Sequence, residues 1–299
     1  MLTIIWVIIF ILALMGLIIF VYFSSRKKSC PCKTEGYHNT RGDHPLWSFW
    51  HDDNFPEPVK LAIKSWEHYT PFTIHVLTLD TMWDYITKED LPSNFDKLSV
   101  QKKTDLLRLS LLYKYGGTWC DSTFIMTKPI KDWFPDSYDL FGFYIDKFTT
   151  KEEYPILESW FISAPRGSPP IKLWREEMNK HVLDEDAFFK MAQNKVDFQN
   201  IEDKKYLLIH CVWQYVVQTH PELKHQKIVL YPAQTNGGPF KYLDMFDFNS
   251  GKAVKYITGQ DSSNLNVLAL KLRGAERDKV NKKWNDINDK SIIGRIKNL

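Results

Sequence analysis

The segment from Phe95 to Thr127 restricts the fold more than any other part of the chain. Phe95 to Tyr115 reads as one helix, with Leu98, Leu106, Leu109, Leu112 and Tyr113 turned inward. Gly116-Gly117 then permits the positive φ that reverses a chain at a helix end. Thr118-Trp119-Cys120 is a short apolar strand within a strand pair expected over Thr118 to Thr127. Asp121 leaves that strand at its carboxyl end, where open α/β sheets bind ligands. Within the helix, Asp105 and Arg108 stand one turn apart on a shared face. As an exposed pair they would contribute only about 0.2–0.5 kcal/mol. Their neighbours Leu106, Leu107, Leu109, Leu111 and Leu112 are apolar, however, and charges in such a run are costly unless they pair or line a cavity.

The rest of the chain alternates strands with helices. Strand patterns cover Leu46 to His51, Phe72 to Leu79, Leu140 to Ile145, Trp160 to Ser163 and Ile228 to Tyr231. Helical patterns cover Pro56 to His68, Met82 to Ile86, Pro170 to His181 and Lys204 to His220. This order implies an α/β fold, a Rossmann-like mixed and mostly parallel sheet flanked by helices. A dehydrogenase is disfavoured, because no G-x-G-x-x-G follows the first strand. The expected organisation is a membrane anchor at 1–24, a linker at 25–44, one domain at 45–270 and a basic tail at 271–299 that can form a helix.

Leu2 to Phe23 carries no charged side chain and is long enough for one transmembrane helix. It lacks a basic n-region and a small-residue cleavage site, which favours an uncleaved single-pass anchor. Arg26-Lys27-Lys28 follow directly, so the positive-inside rule places the domain in the cytoplasm, with a lumenal, Golgi-type orientation as the alternative. A net charge of +3 is too small to imply a nucleic-acid partner. Cys30, Cys32, Cys120 and Cys211 make no zinc pattern.

On Asp105, Arg108, Tyr115, Gly116, Gly117, Trp119, Asp121 and Thr123 the chain resembles DXD-type glycosyltransferases. It is most similar there to the capsular polysaccharide synthesis and glycosyltransferase family 32 group, and distantly to the clostridial toxin glucosyltransferases. Trp47-Ser-Phe-Trp50 and Glu158 to Pro165 extend the resemblance over about residues 45–165. It implies a GT-A-like fold and a retaining transfer of sugar from a UDP- or GDP-sugar to a glycan, lipid-linked or protein acceptor. It also implies Asp121 and Thr123 as metal ligands for Mn²⁺ or Mg²⁺, Asp121 and Arg108 as catalytic groups, and Trp50, Asp105, Arg108, Trp119 and Ser159 as substrate-binding residues. The D-x-D is degenerate, since Thr123 stands at the second carboxylate position. A hydroxyl can bind metal directly or through a water but brings no charge.

Trp47 is expected in the core, on the strand face opposite Trp50. Trp119 suits packing as well as a flank of the donor site. His210, His220 and His225 are candidates for a late metal ligand, although a lone His is more often packing. Two other functions fit the same residues: a catalytically inactive GT-A-fold scaffold, and a membrane-tethered hydrolase. The second is disfavoured by the lack of a Ser-His-Asp or Cys-His arrangement.

Overall fold

The computed structural model describes residues 37–39 and 43–299. The apolar run at 2–23, the basic cluster after it and the Cys30/Cys32 pair lie outside the described residues. Among the described residues no helix is long and apolar enough to cross a membrane.

A seven-stranded sheet forms the centre. Its strands are β1 (Tyr37–Asn39), β2 (Pro45–Phe49), β3 (Thr73–Leu77), β4 (Gly117–Cys120), β6 (Leu140–Tyr144), β7 (Leu157–Ala164) and β8 (Ile228–Pro232), in the order β1-β3-β2-β4-β7-β6-β8. β2, β3, β4, β6 and β8 run one way, and β1 and β7 run against them. The carboxyl ends of β2, β4 and β6 and the start of β7 therefore meet at one edge of the sheet.

Alternation along the strands builds a core on each face. Leu46, Ile74, Val76, Phe141, Phe143 and Phe161 face one side, with Val59, Ala62 and Trp66 of the helix Glu57–Tyr69. Trp47, Phe49, Leu77, Trp119, Leu140 and Ile162 face the other, against the helices Val100–Tyr115, Pro169–His181 and Leu208–Thr219. This is the three-layer arrangement expected of helices covering both faces of such a sheet. Trp47 lies in the core as expected, with its indole donating to the Gly116 carbonyl at 3.0 Å.

Three expectations are corrected. The helix begins at Val100 rather than Phe95, because the Ser99 side chain caps it by accepting from the Lys102 amide and Phe95–Lys97 forms a separate 3₁₀ turn. Thr118 to Thr127 is not one strand pair. A turn closed by the Phe124 amide on the Asp121 carbonyl sends the next strand, β5 (Phe124–Met126), into a separate two-stranded sheet with β9 (Ala269–Lys271). Residues 271–299, expected as a helical tail outside the domain, do form the helices Gly274–Lys282 and Ile292–Lys297, but Val280, Ile292, Ile293 and Ile296 are buried in the same core as Trp66.

The Gly-Gly reversal is enforced sterically. Gly116 and Gly117 have φ of +69° and +95°. A Cβ on Gly116 would lie 2.5 Å from the Arg166 amide nitrogen, and one on Gly117 would lie 2.3 Å from the Pro45 carbonyl oxygen. The glycines thus let β4 insert beside β2 directly after the helix.

Candidate active site

A cleft of about 780 Å³ opens at the carboxyl edge of the sheet. Trp50 and His51 follow β2, Asp121, Ser122 and Thr123 follow β4, Ile145 and Lys147 follow β6, and Glu158 and Ser159 open β7. Asp105 and Arg108 enter from the long helix, His210 from the helix Leu208–Thr219, and Lys271, Arg273 and Arg277 from β9 and the helix after it. Of the expected substrate residues, Trp50, Asp105, Arg108 and Ser159 all border the cleft.

Arg108 is the hub. Its guanidinium lies 3.1 Å from Asp105 Oδ1 and 3.6 Å from Asp121 Oδ1, and donates to the Ser159 carbonyl. Its planar fork can address all three acceptors at once. Ser159 therefore takes part through its backbone. The Arg108 guanidinium also sits over the Trp119 ring at 5.1 Å. Trp119 is fully buried and does not border the cleft, so of its two expected places the structure shows the packed one. β4 turns its ring into the helix-covered core, from where its indole donates to Asp121 Oδ1 at 2.9 Å.

The two carboxylates differ in charge behaviour. Burial pushes Asp105 up to about 6, only partly opposed by Arg108. Burial also pushes Asp121 up, but the Lys271 and Arg108 charges outweigh it and hold Asp121 below the ordinary carboxylate value.

Lys271 was absent from the sequence expectations. Its ammonium lies 2.9 Å from Asp121 Oδ2 and 2.9 Å from Thr123 Oγ1. The Thr123 hydroxyl in turn donates to the Leu272 carbonyl at 2.7 Å. The pairing follows from the β5/β9 register, which sets Lys271 opposite Phe124 and carries the Leu272 amide to the Thr123 carbonyl. The only local signal was the alternation Leu270, Lys271, Leu272, Arg273, a strand pattern across the expected boundary between domain and tail. Arg273 is locked by bonds from its backbone and guanidinium to the buried Glu276. Arg277 lies over the Trp50 ring at 5.3 Å. The Trp50 indole N–H has no hydrogen-bond partner among the described residues.

These residues do not fit a divalent cation held by Asp121 and Thr123. Each Asp121 oxygen already accepts from a protein donor, and Thr123 both accepts and donates. Hard cations need several free oxygen ligands, and among the described residues no group of three or more His, Cys, Asp or Glu could hold a metal. What the β5/β9 ladder brings to Thr123 is an ammonium, that of Lys271. Of the three histidines, only His210 reaches the cleft, where Nε2 lies 3.6 Å from Glu158 Oε2.

A mixed α/β sheet with its cleft at the carboxyl edge of the strands has the place where open α/β sheets bind ligands. The chain belongs to the capsular polysaccharide synthesis protein family, whose model matches residues 22–247. It is 30% identical over 165 residues to the O-glycosyltransferase braB of Annulohypoxylon truncatum, covering 48% of this chain and 38% of that protein. It is also 30% identical over 155 residues to the glycosyltransferase afumC of Aspergillus fumigatus, covering 44% and 38%. The chain thus spans well under half the length of these relatives. Among solved structures it is similar to the glycosyltransferase GlyE of Streptococcus pneumoniae TIGR4, with TM-score 0.43, 13% identity and coverage of 86% and 63%. The PaToxG glycosyltransferase gives TM-score 0.37, 14% identity and coverage of 87% and 88%.

Proposed function

We propose that the protein is a GT-A-like glycosyltransferase that moves a sugar from a nucleoside diphosphate sugar to a hydroxyl of a glycan, lipid-linked or protein acceptor. One observation carries the reading: Arg108 and Lys271 converge on Asp121 at the carboxyl edge of the sheet, in a cleft that Trp50 borders. The family and the glycosyltransferase relatives support it. In this reading the aromatic face of Trp50 receives the base, and the cations face the diphosphate. Asp105 accepts hydrogen bonds from hydroxyls of the ribose or sugar.

The bond between the sugar's anomeric carbon and the β-phosphate oxygen breaks, and its electron pair leaves with the diphosphate. The acceptor oxygen forms the new bond to that carbon, and its proton passes to an oxygen of the departing phosphate. Delivery on the same face retains the anomeric configuration. Charge stabilisation of the leaving diphosphate supplies most of the acceleration. Residues 2–23 serve as a membrane anchor that leaves the domain on the cytoplasmic side, and protease protection in sealed vesicles tests that placement.

A panel of UDP- and GDP-sugars, read by thermal unfolding, tests the function. A ligand at a hundred times its Kd stabilises by about 2.7 kcal/mol. A rise in Tm with one donor class, followed by transfer to a hydroxyl acceptor, is expected. No shift with any nucleotide sugar overturns the reading.

A further inference from the structure

Lys271 is held as a fixed charge rather than as a free surface side chain. The residue is 8% exposed. Its backbone lies in the β5/β9 ladder, and its carbonyl accepts from the Tyr242 hydroxyl at 2.9 Å. At the other end, the ammonium is set between Asp121 and Thr123, the two positions that the degenerate D-x-D offers to a metal. An ammonium carries three donors. Two are used by Asp121 and Thr123, and the group lines the cleft, so the third is open to an oxygen of a bound phosphate. A divalent cation entering the same place would meet like charge from Lys271 and Arg108 and would have to displace both from Asp121. The remaining acids do not supply a substitute cage: Asp105 is engaged by Arg108 and Glu158 faces His210.

We propose that Lys271 provides, as a built-in ammonium, the positive charge that faces the donor diphosphate, and that this chain binds its nucleotide without a divalent metal. The proposal rests on the nucleotide-sugar reading above and assigns the electrostatics of that same cleft. Asp121 then acts as the anchor that aims Lys271 and Arg108, and Thr123 completes the ammonium's shell. The degenerate motif follows directly, since a second carboxylate at position 123 has no metal to hold.

The test uses the full chain and needs no variant for its first arm. UDP and GDP are titrated by calorimetry in excess EDTA and again in excess Mn²⁺, and Mn²⁺ alone is titrated by electron paramagnetic resonance. The expected result is one nucleotide bound with Kd equal within about twofold in the two buffers, and no stoichiometric Mn²⁺ site. In the second arm, Lys271→Met keeps length and removes charge, so nucleotide affinity in EDTA is expected to fall by about tenfold or more. Lys271→Arg keeps the charge and is expected to fall less. Binding that requires Mn²⁺, or a stoichiometric Mn²⁺ site lost in Asp121→Asn, overturns the inference and leaves the glycosyltransferase reading standing. Parental affinity in Lys271→Met also overturns it. Absence of nucleotide binding in both buffers overturns the inference and the glycosyltransferase reading together.

Discussion

The Lys271 ammonium lies 2.9 Å from Asp121 Oδ2 at a sequence separation of 150, and Arg108 reaches the other carboxylate oxygen at 3.6 Å. Asp121 therefore contacts two cations in the wall of the cleft and shares one of them, Arg108, with Asp105.

That double contact makes Asp121 a stability residue as well as a site residue. Removing one partner of a buried pair costs about 3–5 kcal/mol. The Asp121 side chain is 25% exposed, so solvent screens part of the effect and the low end, about 3 kcal/mol, is expected for Asp121→Asn. A metal-ligand role predicts the opposite sign without metal, because an acidic cage relaxes when it loses a charge. Urea unfolding of parent and variant in EDTA decides between them, and an unchanged or raised midpoint speaks against the pair.

Asp105 introduces a pH dependence whose sign is set by burial. Its carboxyl is raised from 3.8 to about 6. Between these values the native state keeps a proton that the unfolded chain has released, so stability falls as pH rises through that window. Asp105→Asn cannot titrate. The parent's stability relative to Asp105→Asn is expected to be greatest below pH 4 and to decline to a plateau above about pH 6. Paired denaturant curves across this range measure it, and a flat difference rules the shift out.

Gly116→Ala separates backbone strain from collision. At Gly116 the new Cβ meets the Arg166 amide at 2.5 Å in addition to adopting a positive φ, whereas at Gly167 the φ is +73° with nothing within 4 Å. We expect a loss of about 2–4 kcal/mol for Gly116→Ala and about 1 kcal/mol for Gly167→Ala. Equal losses would show that β4 can shift away from the Pro165–Arg166 turn.

Trp47 and Trp50 are expected to fail in different assays. Trp47 is 2% exposed and bonded to Gly116, so Trp47→Ala should cost about 3–5 kcal/mol of stability. Trp50 borders the cleft beside Arg277. Loss of a stacking face is worth about 1–3 kcal/mol, so Trp50→Ala should weaken nucleotide binding by about 5- to 150-fold with a smaller effect on folding. Calorimetry and thermal unfolding of both variants provide the comparison. Undiminished binding in Trp50→Ala moves the base elsewhere in the cleft.

The amino-acid sequence by itself determined the local pieces. Leucine periodicity specified the long helix, one helical turn placed Asp105 beside Arg108, and Gly116-Gly117 marked the reversal that aims Asp121 at the sheet edge. These features depend on residues a few positions apart, where backbone geometry leaves little choice. Tertiary structure alone decided what faces Asp121. Alternation around Lys271 shows that a strand can form, but not that β9 pairs with β5 in the register that sets Lys271 opposite Phe124. It likewise does not reveal that Ile292 and Ile293 fill the core beneath Trp66, which draws residues read as a tail into the domain. The physical reason is that periodicity records which face of an element is apolar, whereas the identity of the partner is settled by burial summed over the whole chain.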